Sequence, residues 1–364
     1  MPVAPVIVEV TSKPIVRAAI AAIMVPMRAA TSTLLRPVAL VMGNYRDEGC
    51  GVGSSEPVVA DLAPRVVRPL DPTVGSLADF RRRCRRELEG AAGAVVAYPT
   101  LQQVERLALV PRLLLLRIAL GRRRWLRVHL HEFEKLRRRH RLGVALLVGL
   151  LADRVVVSSS READALHRRY RGWAGRKEVV VVPPANGSAP AELPAPPTSP
   201  STGRVVGIVG QLRPDKGLPW LLDVLARLDA RWGRVEVVGR GWDLSTWPEA
   251  LRSRYELVGR GQVPAAELPA LIEAWDLAIA PFEEPPTDGR LSLRTPLAHG
   301  VPTLTRGPRP RGLQLEAPHL LFDDEVDVAH LPDLDAAARR AGAAAVAGLE
   351  ASWRADLNAT LYGP

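Results

Sequence analysis

The chain has 364 residues, of which 47% are hydrophobic, and a formal net charge of +10. That length accommodates two ordinary domains with buried cores, and the apolar content excludes a disordered chain. The two cysteines, Cys50 and Cys84, are too few for a disulfide scaffold and lack metal-ligand spacing, which points to a reducing, cytoplasmic setting and to ordinary core or loop residues.

Residues 1–36 precede any regular alternation. Their most apolar run, AAIAAIMVPM (18–27), is broken by Pro26 and falls short of the roughly 18–20 residues that cross a bilayer. No clean small-residue cleavage site follows it, so the segment reads as an extension without regular order. From residue 37, short apolar runs alternate with helix-like stretches: PVALVMG (37–43), GAVVAYP (93–99), LRVHLHEF (126–133), DRVVVSSS (153–160) and KEVVVVPPA (177–185). Residues 186–203, rich in Pro, Ser and Ala with no apolar period, read as a linker. The alternation then resumes with RVVGIVG (204–210), RVEVVGRG (234–241), YELVGRG (255–261), DLAIAPF (276–282), VPTLTR (301–306) and HLLFDD (319–324). Helices are predicted over 218–232, where Leu218, Leu221, Leu222, Leu225 and Leu228 recur at helical spacing, and over 266–275. The pattern predicts an α/β protein of two Rossmann-like, doubly wound parallel sheets facing across a cleft at the carboxyl ends of their strands.

Arginine clusters stand at 81–86, 122–124 and 137–141. They fit an anionic membrane surface, a nucleic acid, or simply a solvated helix face. Aromatics are scarce beside them and no zinc-finger or RNA-binding spacing occurs, so no nucleic-acid partner is expected.

GQLRPDKG (210–217) follows one predicted strand and opens a helix. A tight turn, free helix-terminal amides and the cations Arg213 and Lys216 suit a phosphate or diphosphate; alone, the same pattern also suits a solvated loop. The succession is more specific than any piece of it. GQLRPDKGLPWLLDVLARL, VEVVGRG, ELVGRGQVPAAELPALIEAWDLAIAPF and TPLAHGVPTL follow in order over about 110 residues. Together they resemble the donor domain of retaining glycosyltransferases of the GT-B fold, family 4 in particular. YRDEGCGVGSSEPVVADLA (45–63), RVHLHEF (127–133), LADRVVVSSSREADAL (151–166) and SWRADLNATLYGP (352–364) extend the resemblance over residues 37–364.

The resemblance implies an acceptor domain over 37–185, a donor domain over 204–340 and a helix over 341–364 that packs back on the first domain. It implies a nucleotide-diphosphate sugar as donor, a glycan or lipid-linked acceptor, no cofactor and no metal, and peripheral contact with an anionic membrane from the cytoplasm. Lys216 matches the lysine that neutralises the diphosphate. The family's partner arginine is replaced by Gln211, for which Arg213 can substitute from two residues away. Gly51 and Gly53 match the glycine-rich loop of the first domain, although a plain tight turn fits them equally. His131 matches the active-site histidine, with Glu132 beside it, while His129 is expected to face the opposite side of its strand. The family's two motif glutamates fall on Thr287 and Thr295. Asp288, Gly289, Arg290, Ser292 and Arg294 surround these positions and, with Thr295, whose hydroxyl can hydrogen-bond to a ribose, are read as donor-binding, with the two arginines cradling phosphates at a helix start. A catalytically degenerate binding or partner subunit is the alternative that the departures at Gln211, Thr287 and Thr295 suggest.

Overall fold

The computed structural model describes residues 36–42, 59–61, 63, 66–72, 75–98, 109–121, 123–131, 144–145, 151–170, 178–186, 188–190, 204–213, 216–333 and 335–363. Residues 1–35 of the expected extension 1–36, most of the linker, Cys50 and the cluster 137–141 lie outside them.

The first sheet comprises β1 (Val38–Val41), β2 (Val67–Leu70), β3 (Gly93–Tyr98), β4 (Trp125–Leu130), β5 (Arg154–Val157) and β6 (Glu178–Val181), ordered β2-β1-β3-β4-β5-β6. Its helices are α1 (Leu77–Glu87), α2 (Leu109–Leu120) and α3 (Ser160–Arg169). The second sheet comprises β7 (Arg204–Val209), β8 (Trp232–Val238), β9 (Glu256–Gly261), β10 (Leu277–Ala280), β11 (Thr303–Thr305) and β12 (Leu320–Phe322), ordered β12-β11-β10-β7-β8-β9. Between these strands run α4 (Leu218–Arg227), α5 (Glu249–Arg254), α6 (Leu268–Glu273) and α7 (Leu291–Ala298), and α8 (Ala336–Tyr362) closes the chain. All strand pairs in both sheets are parallel. The two doubly wound sheets are those the alternation predicted.

Parallel sheets covered on both faces need apolar residues on both sides of each strand. VALV of β1 is buried at all four positions. One face of the first sheet packs against Phe80 and Cys84 of α1 and Leu113 and Leu116 of α2. Its other face is covered by Trp353, Leu357, Leu361 and Tyr362 of α8. The same helix begins against the second sheet, where Val346 joins Phe282, Leu293 and Leu297. At 1.5 Å per residue its 27 residues extend about 40 Å, enough to span both layers. Asp335 caps its start, Oδ1 accepting from the Ala338 amide at 2.7 Å, so the helix begins earlier than the expected 341. Burial pushes the Cys84 thiol up to about 11, as befits an inert core residue.

Three local readings change. β2 was not predicted, because its sequence VRPL carries a proline; the strand lies at the sheet edge, where a missing N–H is tolerated. The helix expected over 218–232 ends at Arg227, although Leu228 continues its stripe. Leu228 is extended, Asp229 Oδ1 accepts from the Arg231 amide at 3.0 Å, and the turn frees Trp232 to open β8. The shorter α6 likewise starts at Leu268 rather than 266.

Candidate functional site

The second sheet reverses its winding between β7 and β10, which are neighbours although three strands apart in sequence order. Ligands of doubly wound proteins bind in the crevice beyond the carboxyl ends of the strands at such a point. The residues on that rim are Gly210 and Gln211 after β7, and Phe282 to Arg290 after β10.

Lys216 occupies the crevice. It is 6% exposed, its Nζ donates to Ser292 Oγ at 2.7 Å, and it lies 4.6 Å from the centre of the Phe282 ring. Arg290 stands over the same ring at 5.1 Å. Gly210 floors the group at φ +117°, and a Cβ there would meet Ser292 Cβ at 3.2 Å and Lys216 Nζ at 3.5 Å. Gly217, the residue before α4, approaches so closely that its Cβ would lie 2.8 Å from the Phe282 carbonyl oxygen. Neither α4 nor α7 has a side-chain cap on its N-terminus; in α4 Pro219 carries no N–H and the Leu218 amide donates to the Lys216 carbonyl oxygen at 2.7 Å, so the uncapped amides of this group come from the start of α7. Two cations, a hydroxyl and the N-terminus of α7 make a site that suits a polyanion. Arg213 is half-buried on the same turn, and Gln211 is exposed.

The carboxyl end of the first sheet meets this rim. A Cβ on Gly289 would lie 3.2 Å from the Ser158 carbonyl oxygen, just beyond β5, and Arg161 of α3 pairs with Glu284. Leu130 pairs with Val157 in the sheet, so His131 comes level with Ser158 at the carboxyl end of the first sheet. His131 is 3% exposed. Its ring centre is 3.9 Å from that of His129. The expectation that His129 points the other way is therefore corrected: residues two apart on a strand share a face. Gly51, Gly53 and Glu132 lie outside the described residues.

Three of the predicted donor-binding residues are engaged elsewhere. Arg294 is fully buried and its donors are spent within the protein: Nε donates to Glu350 Oε1 at 2.7 Å, and Nη1 to the Pro184 and Asp288 carbonyl oxygens, each at 2.9 Å. Asp288 accepts from the amides of Gln314 and Leu315 at 3.1 Å, and burial pushes its carboxyl up despite those bonds and the nearby Arg294 charge. Thr295 Oγ1 donates to Asn186 Oδ1 at 3.2 Å. Thr287 lies beside Gly289, where the added Cβ would be 3.7 Å from its Oγ1. Phe282, Asn186 and Glu350 carry no motif, and sequence reasoning passed over them. The first reads as an ordinary strand end, and the other two act through partners distant in sequence.

Two six-stranded parallel sheets, a long closing helix shared between them and a carboxyl-end rim of the first sheet that meets the switch point of the second define the GT-B fold. Solved structures of glycosyltransferases share it. HepE of Anabaena, crystallised in complex with UDP and glucose, superposes with a TM-score of 0.53 at 16% identity, over 90% of this chain and 94% of its own. A glycosyltransferase of Rickettsia africae gives 0.55 at 11% identity, over 91% and 95%. WaaG, a glycosyltransferase involved in lipopolysaccharide biosynthesis, gives 0.50 at 14% identity, over 90% and 95%. No protein-family model matches the chain, and no curated protein sequence does. At these identities the likeness is one of fold.

Proposed function

We propose that the chain is a glycosyltransferase that moves a sugar from a nucleotide-diphosphate sugar to an acceptor hydroxyl, with retention, in glycan or glycoconjugate biosynthesis. One observation carries the reading: Lys216 Nζ is held 2.7 Å from Ser292 Oγ at the switch point of the second sheet, beside the N-terminus of α7, which has no side-chain cap. In this reading the leaving diphosphate gathers charge against Lys216, Arg290 and the amides, donors fixed before the reaction begins. Arg213 assists from the same turn. His131, across the cleft, orients the donor sugar while the acceptor hydroxyl attacks from the face the diphosphate leaves, passing its proton to that phosphate. Those charges suffice without a metal or cofactor in the proposal. The crystallisation of HepE with UDP and glucose supports a nucleotide sugar as the donor class. Residues 37–185 then form the acceptor domain and 204–340 the donor domain.

A panel of nucleotide sugars offered to the purified protein tests this. Turnover of at least one is expected, and Lys216→Ala should lower kcat/KM about 100-fold or more, the scale of losing one charge-stabilising donor. Full activity in that variant would remove Lys216 from the site. The degenerate-subunit reading draws on Thr295 and Arg294, which turn away from the crevice. Absence of nucleoside-diphosphate binding at millimolar concentration in calorimetry would favour it.

The proposal extends to where the enzyme works: in the cytoplasm, against the inner face of an anionic membrane. α1 exposes Arg81, Arg82, Arg85 and Arg86, and its neighbour α2 exposes Leu114 and Ile118. Flotation with acidic vesicles tests this contact.

A further inference from the structure

Helix α7 grips the chain where it crosses from the first sheet to the second, and it does so at alternate residues. Arg294 Nη1 donates to the Pro184 carbonyl oxygen at 2.9 Å, Thr295 Oγ1 donates to Asn186 Oδ1 at 3.2 Å, and His299 Nε2 meets the Ser188 carbonyl oxygen at 2.9 Å. Pro184, Ala185 and Asn186 are all buried, so the crossing segment is enclosed on both faces. Arg294 also holds the second crossing. Its Nε donates to Glu350 Oε1 at 2.7 Å, its Nη2 to Glu350 Oε2, and its guanidinium lies 4.6 Å over the Trp353 ring. Those residues belong to α8 just where that helix leaves the second sheet for the core of the first.

One guanidinium therefore ties together both places where the backbone passes between the sheets. Arg294 and Glu350 are 0% and 2% exposed. A buried ion pair is a poor source of net stability, because desolvation of both charges opposes their attraction. What the planar fork supplies is direction: several donors at fixed angles, which a lysine cannot reproduce. The remaining bond gives that direction a use. Nη1 donates to the Asp288 carbonyl oxygen, and Asp288 begins the turn that carries Arg290 and Ser292 to Lys216.

We infer that Arg294 is the positioning residue of the interdomain hinge, setting the angle between the sheets and transmitting it to the 288–292 turn that completes the diphosphate grip. The second half rests on the glycosyl-transfer reading; the first does not.

Hydrogen–deuterium exchange on the full chain, with Arg294→Lys and Glu350→Gln as independent variants, separates the two halves. In folded variants, peptides covering 184–190 and 286–293 should exchange about tenfold faster than in the parent, while those covering β7 and β8 stay unchanged. Calorimetry with UDP, GDP and ADP should show the bound nucleotide's Kd raised about tenfold. In turnover the donor KM should rise with kcat nearly constant. A role in stability alone would instead lower the melting temperature and speed exchange throughout without moving Kd. Unchanged exchange at 184–190 overturns the hinge role. Faster exchange there with an unchanged turn and unchanged Kd overturns the coupling. If the parent binds none of the three nucleotides, the donor reading and the coupling fall together, and the exchange measurement still decides the hinge.

Discussion

His319 shows what a single residue concedes to packing. It is fully buried, its Nε2 donates to the Leu297 carbonyl oxygen at 2.9 Å, and its Nδ1 has no hydrogen-bond partner. Burial pushes its pKa below the usual histidine value, the bond to Leu297 opposes that shift, and the nearby Arg339 charge reinforces it. With the folded-state pKa depressed below the unfolded value of 6.5, the unfolded chain binds the proton first as pH falls. The stability contributed by the neutral ring is complete above about pH 6.5 and is lost on acidification through the folded pKa. Thermal unfolding should therefore shift to lower temperature between about pH 7.5 and 5.5, and His319→Gln, which keeps a donor for Leu297, should flatten that slope. Parallel slopes for the two proteins would refute the assignment. Other residues vary in how far sequence exposed them. Lys216 was legible because a glycine turn, a cation and a helix start are contiguous. Arg294 was not, because the carboxylate that claims it stands 56 residues away. His129 and His131 were misjudged in spite of the sequence, since a period of two already puts them on one face.

At the scale of elements, α8 contains an internal contrast. A Cβ on Gly342 would lie 2.0 Å from His319 Nδ1, whereas one on Gly348 would meet nothing within 4 Å. Glycine inside a helix costs roughly 0.5–1 kcal/mol relative to alanine. Gly348→Ala should therefore raise the unfolding free energy, read from denaturant titration, by an amount on that order. Gly342→Ala has to displace a buried ring and should lose about 1–3 kcal/mol, the usual cost of overpacking. Equal responses at the two positions would mean that α8 does not approach His319 as described. Most elements announced themselves because buried parallel strands are short, continuous apolar runs, as VALV of β1 and LAIA of β10 are. β2 hid behind Pro69, and the end of α4 hid behind Leu228, whose spacing belongs to the helix while its backbone belongs to the turn.

For the whole molecule, charge and exposed apolar surface fall on the same side of the first sheet. Arg81, Arg82, Arg85 and Arg86 of α1 are exposed, and Leu114 and Ile118 of α2 are 40% and 74% exposed. No helix among the described residues is long and apolar enough to cross a membrane. The expected outcome is flotation with phosphatidylserine-rich vesicles at low salt and release as rising ionic strength shortens the Debye length. Each basic residue near an anionic surface is worth about 1 kcal/mol, so Arg85→Glu with Arg86→Glu should weaken binding by tenfold or more. Failure of the parent to float at low salt would return these arginines to the role of a solvated helix face. The two-sheet architecture was readable from alternation alone, but the way the halves are fastened was not, because it depends on contacts between segments remote in sequence. That fastening has a consequence for how the protein is made. Trp353, Leu357, Leu361 and Tyr362 complete the core of the sheet whose strands leave the ribosome first. The earlier-synthesised half therefore keeps one face uncovered until α8 has been made and has docked on it, so its native packing waits for the half that follows it.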